Sequence, residues 1–116
     1  MVLDEKNGPF SPQKGSCKTC YGVATMQAES GKIIDRTSHY YDIAHASKIV
    51  KPGAVRVGLS GDMPDGIVCQ AFVNPDGCLA VLILNHGSED HTITLVRNKQ
   101  TVPCQVPAES IVSVMW

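Results

Sequence analysis

The chain has 116 residues, 43% of them hydrophobic, and ten Lys and Arg against eleven Asp and Glu leave a formal charge of −1. That length holds one small domain and little more, and with no basic excess to neutralise phosphates the balance argues against a nucleic-acid binder. The longest apolar run, residues 78–84, falls far short of the roughly 20 residues a membrane span needs, and the opening MVLDEKNGP holds no apolar stretch suited to a secretion signal.

The first twenty residues read as loop, with Gly8, Pro9, Ser11, Pro12, Gly15 and Ser16 leading into a C-x-x-C pair, Cys17 and Cys20. Three readings of that pair stay open: a loop-tying disulfide or inert thiols, part of a metal site with His39 or His45, and a redox pair. A zinc site calls for a second ligand pair at metal spacing, and a thioredoxin-like pair calls for a helix N-terminus after a strand. The loop composition favours the first reading. Cys69, Cys78 and Cys104 stand alone in apolar surroundings and read as small buried hydrophobes.

Residues 21–28 predict a short strand and Glu29–Lys32 a turn around Gly31. The spacing then predicts one helix over residues 38–50. Thr37 or Ser38 is placed to cap its free amides, Asp42 to suit its first turn, and Tyr40, Ile43, Ala44, Ala46, Ile49 and Val50 to form an apolar stripe. Pro52-Gly53 stops it. Beyond Gly53 the period changes from 3.6 to 2. Strands are predicted at residues 54–60, 67–73, 78–84, 91–97, 101–106 and 111–116, with turns at 62–66, 74–77 and 86–90. The unbroken apolar run 78–84 belongs mid-sheet with both faces covered. Pro103 confines 101–106 to an edge or a bulge. Connections this short suit antiparallel pairing, so the chain is mainly β, an antiparallel sandwich or barrel preceded by a loop and one helix of different style.

Catalytic readings find little to build on. Glycoside hydrolysis needs two carboxyl groups roughly 5 to 9 Å apart, yet the carboxylates fall almost entirely in turns or near the helix start. No Gly-x-Ser-x-Gly elbow is present. His45 and Lys48 lie one turn apart on the predicted helix, where a histidine hydrogen-bonded at an interface outweighs a catalytic base. A free-standing carbohydrate-binding or adhesion module is the alternative function. Its stacking platform would have to come from Tyr40 and Tyr41, because Phe72 and Trp116 fall inside strands and read as packing residues.

The string YYDIAHASKIVKPGAVRV, residues 40–57, resembles the Y-x-x-G-H-x-S-K-[FI]-[IV]-x-P-G-A-x-R-[IV] segment of glycoside hydrolase family 30, the glucosylceramidase-like enzymes. Ala44 and Ala46 stand where the family pattern has Gly and Phe. Asn74-Pro75-Asp76-Gly77, with the apolar strand ending at Asn85, is similar to the family's N-P-D-G…V-x-V-L-x-N signature, and PAESIVSVMW at 107–116 to its closing P-x-x-S-I-x-[ST]-x-x-W. The cysteine loop GSCKTCYGVATM looks most like the endo-β-1,6-glucanase branch.

The resemblance implies that residues 1–52 are the terminal strand, loop and helix of a (β/α)8 barrel and residues 53–116 a C-terminal β-sandwich. That sandwich would be incomplete, with five to seven strands, because the family's fold also takes a strand from the enzyme's N-terminus. Met1 would be an internal methionine of a longer protein. The family's acid/base glutamate follows an Asn, and Asn7, Asn74, Asn85 and Asn98 are not followed by Glu, so no catalytic residue is carried over. Asp4 and Glu5, in the loop after the last barrel strand, are the nearest candidates for touching substrate. The resemblance implies no cofactor and no metal. It implies as partners the missing barrel, the N-terminal strand and a β-glucoside or β-glucan reached through them. Members are usually secreted, periplasmic or lysosomal.

Overall fold

The computed structural model describes residues 2–5 and 22–116, so the Cys17–Cys20 pair lies outside the described residues. The chain divides into two compact units, residues 1–44 and 45–116.

In the first unit a three-stranded sheet runs in the order β1-β2-β3, formed by β1 (Val2–Asp4), β2 (Ala24–Met26) and β3 (Ile33–Arg36). Two expectations are corrected here: residues 2–4, read as loop, form β1, and residues 33–36, not predicted as a strand, form β3. β1 and β2 pair in parallel, Val2 opposite Ala24. β3, which sequence periodicity did not announce, pairs antiparallel with β2. All four of its residues are exposed, so no apolar alternation marks it. The turn at Gln27–Lys32 closes through Gly31, whose φ of +68° is the left-handed value glycine adopts freely.

The helix α1 spans Ser38–Ile49, one residue short of the predicted end. Its cap differs from expectation. The Thr37 hydroxyl donates to the carbonyls of Gly22 and Val23 at 3.1 and 3.2 Å and does not turn to the helix amides. Asp42 lies beyond the first turn, 3.9 Å from His39 Nδ1. Of the predicted stripe, Ile49 is buried, Tyr40, Ala44 and Ala46 are half-buried, and Ile43 is 57% exposed.

The second unit is a two-layer β arrangement of six strands. One layer is a four-stranded antiparallel sheet in the order β4-β5-β6-β9, from β4 (Val55–Val57), β5 (Ile67–Val73), β6 (Leu79–Asn85) and β9 (Ser110–Met115). The other is the hairpin of β7 (His91–Arg97) and β8 (Gln100–Val106). Val55–Val57 is shorter than the predicted 54–60 because Leu59 leaves the ladder. The hairpin turns on Asn98 and Lys99, both at positive φ, the backbone twist a two-residue loop demands.

Alternation aims Ile67, Ala71, Leu79, Val81 and Ile83 of the large sheet at Ile93, Leu95, Cys104 and Val106 of the hairpin, and these form one buried core. A large side chain fully removed from water there contributes about 1.5–3 kcal/mol. β6 sits between β5 and β9 as its apolar run implies, although its outward Leu84 remains 40% exposed.

Candidate functional site

Contacts of His45, Ile49 and Lys51 join the end of α1 and the residues just after it to the sandwich. Asn74, 2% exposed in the β5–β6 turn, donates its side-chain amide to the Ile49 carbonyl at 2.9 Å and accepts the Lys51 amide at 2.9 Å. It therefore satisfies one of the carbonyls that every helix C-terminus leaves unpaired. Lys51 Nζ bonds the Asp76 carboxylate. That contact, together with the Cys78 amide, holds the Asp76 carboxyl below its ordinary value, while the Lys51 ammonium is held above its own. His45 Nδ1 lies 2.5 Å from the Ser113 hydroxyl on β9. His45 is thus the interface histidine the sequence pointed to, and its ring reaches Ser113, not Lys48.

A groove of about 290 Å³ opens beside β7. It is lined by Thr92–Val96, the Leu59–Pro64 segment, Leu79, Val81 and Trp116. Hairpin geometry fixes what β7 presents there. The Arg97↔Gln100 pair flanking the two-residue turn is hydrogen-bonded, so residues 91, 93, 95 and 97 bond across to β8. The N–H and C=O groups of Thr92, Thr94 and Val96 point the other way, along an edge that no strand pairs with among the described residues. On β8 the outward positions are 101, 103 and 105, and Pro103 has no N–H to offer. Pro103 therefore sits on an edge, as predicted.

A second cleft of about 320 Å³ is lined by Asp65, His86, Glu89 and His91. Its two carboxylates belong to exposed turn residues. A general acid needs a desolvated carboxyl, and this cleft gives neither group that environment. In the groove beside β7, Asp62 is the single carboxylate lining residue.

The Glu5 carboxylate accepts the Ala28 amide at 3.0 Å, a turn contact, and Asp4 lies in β1. Tyr40 and Tyr41 meet edge to face at 85°, and the Arg36 guanidinium lies 5.2 Å from the Tyr40 ring centre. They offer no shared flat platform for a sugar. Trp116 packs against the core, as expected.

Cys104 is buried, while Cys69 and Cys78 are only half-buried, a correction to the prediction that all three are core residues. The Cys69 sulfur lies 3.9 Å from that of Met63. Burial pushes the Cys69 and Cys104 thiols up, away from the thiolate that reactivity requires. Among the described residues no three His, Cys, Asp or Glu side chains converge as a metal site. His39 and His45 instead face Asp42 and Ser113.

The outer β7 edge, unpaired among the described residues, and the groove beside it are features sequence reasoning missed. Their signal is the uncharged stretch Thr-Ile-Thr-Leu-Val at 92–96, set against a proline in the partner strand.

Comparison with known proteins gives this geometry a context. Residues 53–114 match the Glycosyl hydrolase family 30 beta sandwich domain. An endo-1,6-beta-D-glucanase of Aspergillus fumigatus is 32% identical over 116 residues, covering 96% of this chain and 23% of that protein. A putative glucosylceramidase of Caenorhabditis elegans is 40% identical over 72 residues, 61% of this chain and 13% of the relative. Among solved structures, the endo-beta1,6-glucanase BT3312 superposes with a TM-score of 0.86 at 40% identity, covering 99% of this chain and 25% of that one. SrfJ of Salmonella typhimurium, 22% identical with a TM-score of 0.81 over 99% of this chain and 24% of its own, shares the fold. The chain thus spans a quarter or less of the length of these relatives.

Proposed function

Because the chain belongs to glycosyl hydrolase family 30 through its β-sandwich domain, we propose that it is an accessory sandwich of a retaining β-glycosidase of the glucosylceramidase or endo-β-1,6-glucanase type, holding none of the catalytic carboxyls itself. The observation that carries this reading is the family match over residues 53–114, on a chain that spans 25% of the solved glucanase. A (β/α)8 barrel supplied by the rest of a longer protein is the working partner, with residues 1–52 as its end and a strand from its N-terminal part completing the sandwich. The β-glucoside or β-glucan substrate is met through that barrel. The start of the family match just after α1 supports this division.

Chemistry points the same way. Retaining hydrolysis needs two carboxyl groups about 5–5.5 Å apart on a rigid frame, one of them desolvated. The sandwich offers Asp62 alone in one cavity and the exposed Asp65 and Glu89 in the other. It does offer surface for a larger partner. On the outer face of the sheet Val68, Leu84 and Ile111 stand in one register row, Val68 and Leu84 being 54% and 40% exposed.

The purified chain is expected to turn over neither aryl β-glucosides nor β-1,6-glucan. Turnover that disappears in Asp65→Asn or Glu89→Gln would overturn the reading. Clear retardation of the chain in affinity electrophoresis on glucans would favour a binding module instead.

A further inference from the structure

We propose that Asp65 is a modification site, where this chain converts aspartate to isoaspartate, and that Asp76, in the same Pro-Asp-Gly setting, is held back from it. The site stands apart from the glycosidase reading and does not depend on it.

Pro-Asp-Gly occurs twice, at residues 64–66 and 75–77. Glycine after aspartate favours the conversion, because no Cβ shields the following amide. The chemistry is internal to the chain and needs only water. The glycine nitrogen attacks the aspartate Cγ and a new N–Cγ bond forms. The protonated carboxyl loses its hydroxyl, which leaves as water with the amide proton. Water then adds to the main-chain carbonyl carbon of the five-membered imide, the bond from that carbon to nitrogen breaks, and nitrogen regains a proton. The chain now runs through the aspartate side chain, one methylene longer, with the α-carboxyl as a branch and the mass unchanged.

The two copies sit at different positions of their turns. Gly77 closes the second turn, its amide donating to the Asn74 carbonyl at 2.8 Å. The Asp76 carboxylate accepts the Cys78 amide at 3.0 Å and bonds Lys51 Nζ through its other oxygen. Nucleophile and carboxylate are both occupied there, and the Lys51 contact favours the ionised carboxylate, which has no hydroxyl to lose. In the first turn Ile67 is the closing residue, donating to the Pro64 carbonyl at 3.1 Å. Gly66 stands third, at φ +83°, where the amide takes no part in the closing bond. Among the described residues neither the Gly66 amide nor the Asp65 carboxylate has a hydrogen-bond or ion-pair partner.

Exposure would rank the two the other way. Asp65 and Asp76 are both exposed, and Gly77 is more open than the half-buried Gly66. Hydrogen bonding therefore makes the difference. Asp65 and Gly66 line the cleft of about 320 Å³, which leaves room for the imide ring. The product is felt nearby, because the Gly66 carbonyl accepts the His86 amide at 2.9 Å and its Cα packs on the Gly87 backbone. An added methylene before Gly66 disturbs the start of β5 against the end of β6. The branch carboxyl is the group that S-adenosylmethionine-dependent isoaspartyl methyltransferases esterify, so an enzyme of that chemistry is the partner the modified turn fits.

The test ages the folded chain at neutral pH, then unfolds it and cuts it with an endoprotease that cleaves before aspartate and not before isoaspartate. Cleavage at 64–65 is expected to disappear at least tenfold faster than at 75–76, because the bonds to Asn74 and Cys78 must break before attack at Asp76. The aged chain is expected to accept methyl groups from an isoaspartyl methyltransferase, and Asp65→Glu to lose most of that acceptance. Chain aged in urea is expected to lose both cuts at converging rates, since the tripeptides are the same. Equal rates in the folded chain, faster loss at Asp76, a difference that persists in urea, or undiminished methyl acceptance in Asp65→Glu overturns the site. The wild-type comparison decides the matter even where the variant fails to fold.

Discussion

Asn74 and Ile49 lie 25 positions apart and meet through one buried hydrogen bond of 2.9 Å, side-chain amide to helix-terminal carbonyl. That bond makes the Asn-Pro-Asp-Gly turn a C-terminal cap for α1 as well as a connection between two strands.

Asn74→Ala is therefore expected to destabilise the chain by about 2–3 kcal/mol, because it removes the donor to Ile49 and the acceptor for Lys51 in a buried place. Asn74→Asp keeps the acceptor and should cost less if its carboxyl protonates to restore the donor, so its deficit should shrink on acidification. Urea unfolding at pH 7 and pH 4 measures both. An alanine variant within about 0.5 kcal/mol of wild type, the range of an ordinary surface change, would show the cap to be unimportant.

The Lys51–Asp76 pair gives a pH dependence of known sign. The Asp76 carboxyl titrates below its ordinary value in the folded chain. Its stabilising effect is thus fully present above about pH 4 and is lost as pH falls through the lowered value. The Lys51 ammonium titrates above its ordinary value, so its effect holds below about pH 10 and is lost as pH rises through the raised value. Wild type and Asp76→Asn should differ at neutral pH, converge near pH 2, and converge partly in 1 M salt, both partners being exposed. A gap that persists unchanged at pH 2 would assign the effect to something other than this charge.

His45 and Ser113 should be energetically coupled. A double-mutant cycle with His45→Ala and Ser113→Ala is expected to give an interaction of about 0.5–1.5 kcal/mol. Full additivity of the two single effects would mean the contact carries no energy.

Two glycines of the same φ, +83°, separate conformational cost from crowding. A Cβ at Gly77 meets nothing within 4 Å, while one at Gly66 would stand 3.1 Å from the Gly87 nitrogen. Gly77→Ala is expected to lose about 1 kcal/mol for the left-handed backbone alone. Gly66→Ala should lose about 2–3 kcal/mol, since the obstacle is backbone. Equal melting temperatures for the two variants would contradict this.

Much of the second unit is legible in the residues. The alternation in His91–Arg97, the run Leu79–Asn85 and the turn at Asn74–Gly77 all occur within one or two positions of where period and turn chemistry place them. The first unit is less legible. Ile33–Arg36 carries two isoleucines and then two charges, all exposed, so neither period nor burial marks it as a strand. Thr37 has the right chemistry to cap a helix, yet its hydroxyl serves Gly22 and Val23, a choice made by what lies within reach in space.

The sequence by itself determined that strands, turns and one helix form in this order, and that residues 40–57, 74–85 and 107–116 carry a family's pattern, because side-chain period and turn conformation are properties of neighbouring residues. Only the tertiary structure decided that Asn74 caps α1, that His45 finds Ser113, and that β7 offers its outer edge to a groove while Pro103 spoils the edge of β8. Those outcomes depend on pairing register and on which surfaces lie opposite one another, and both are set by contacts between residues far apart along the chain.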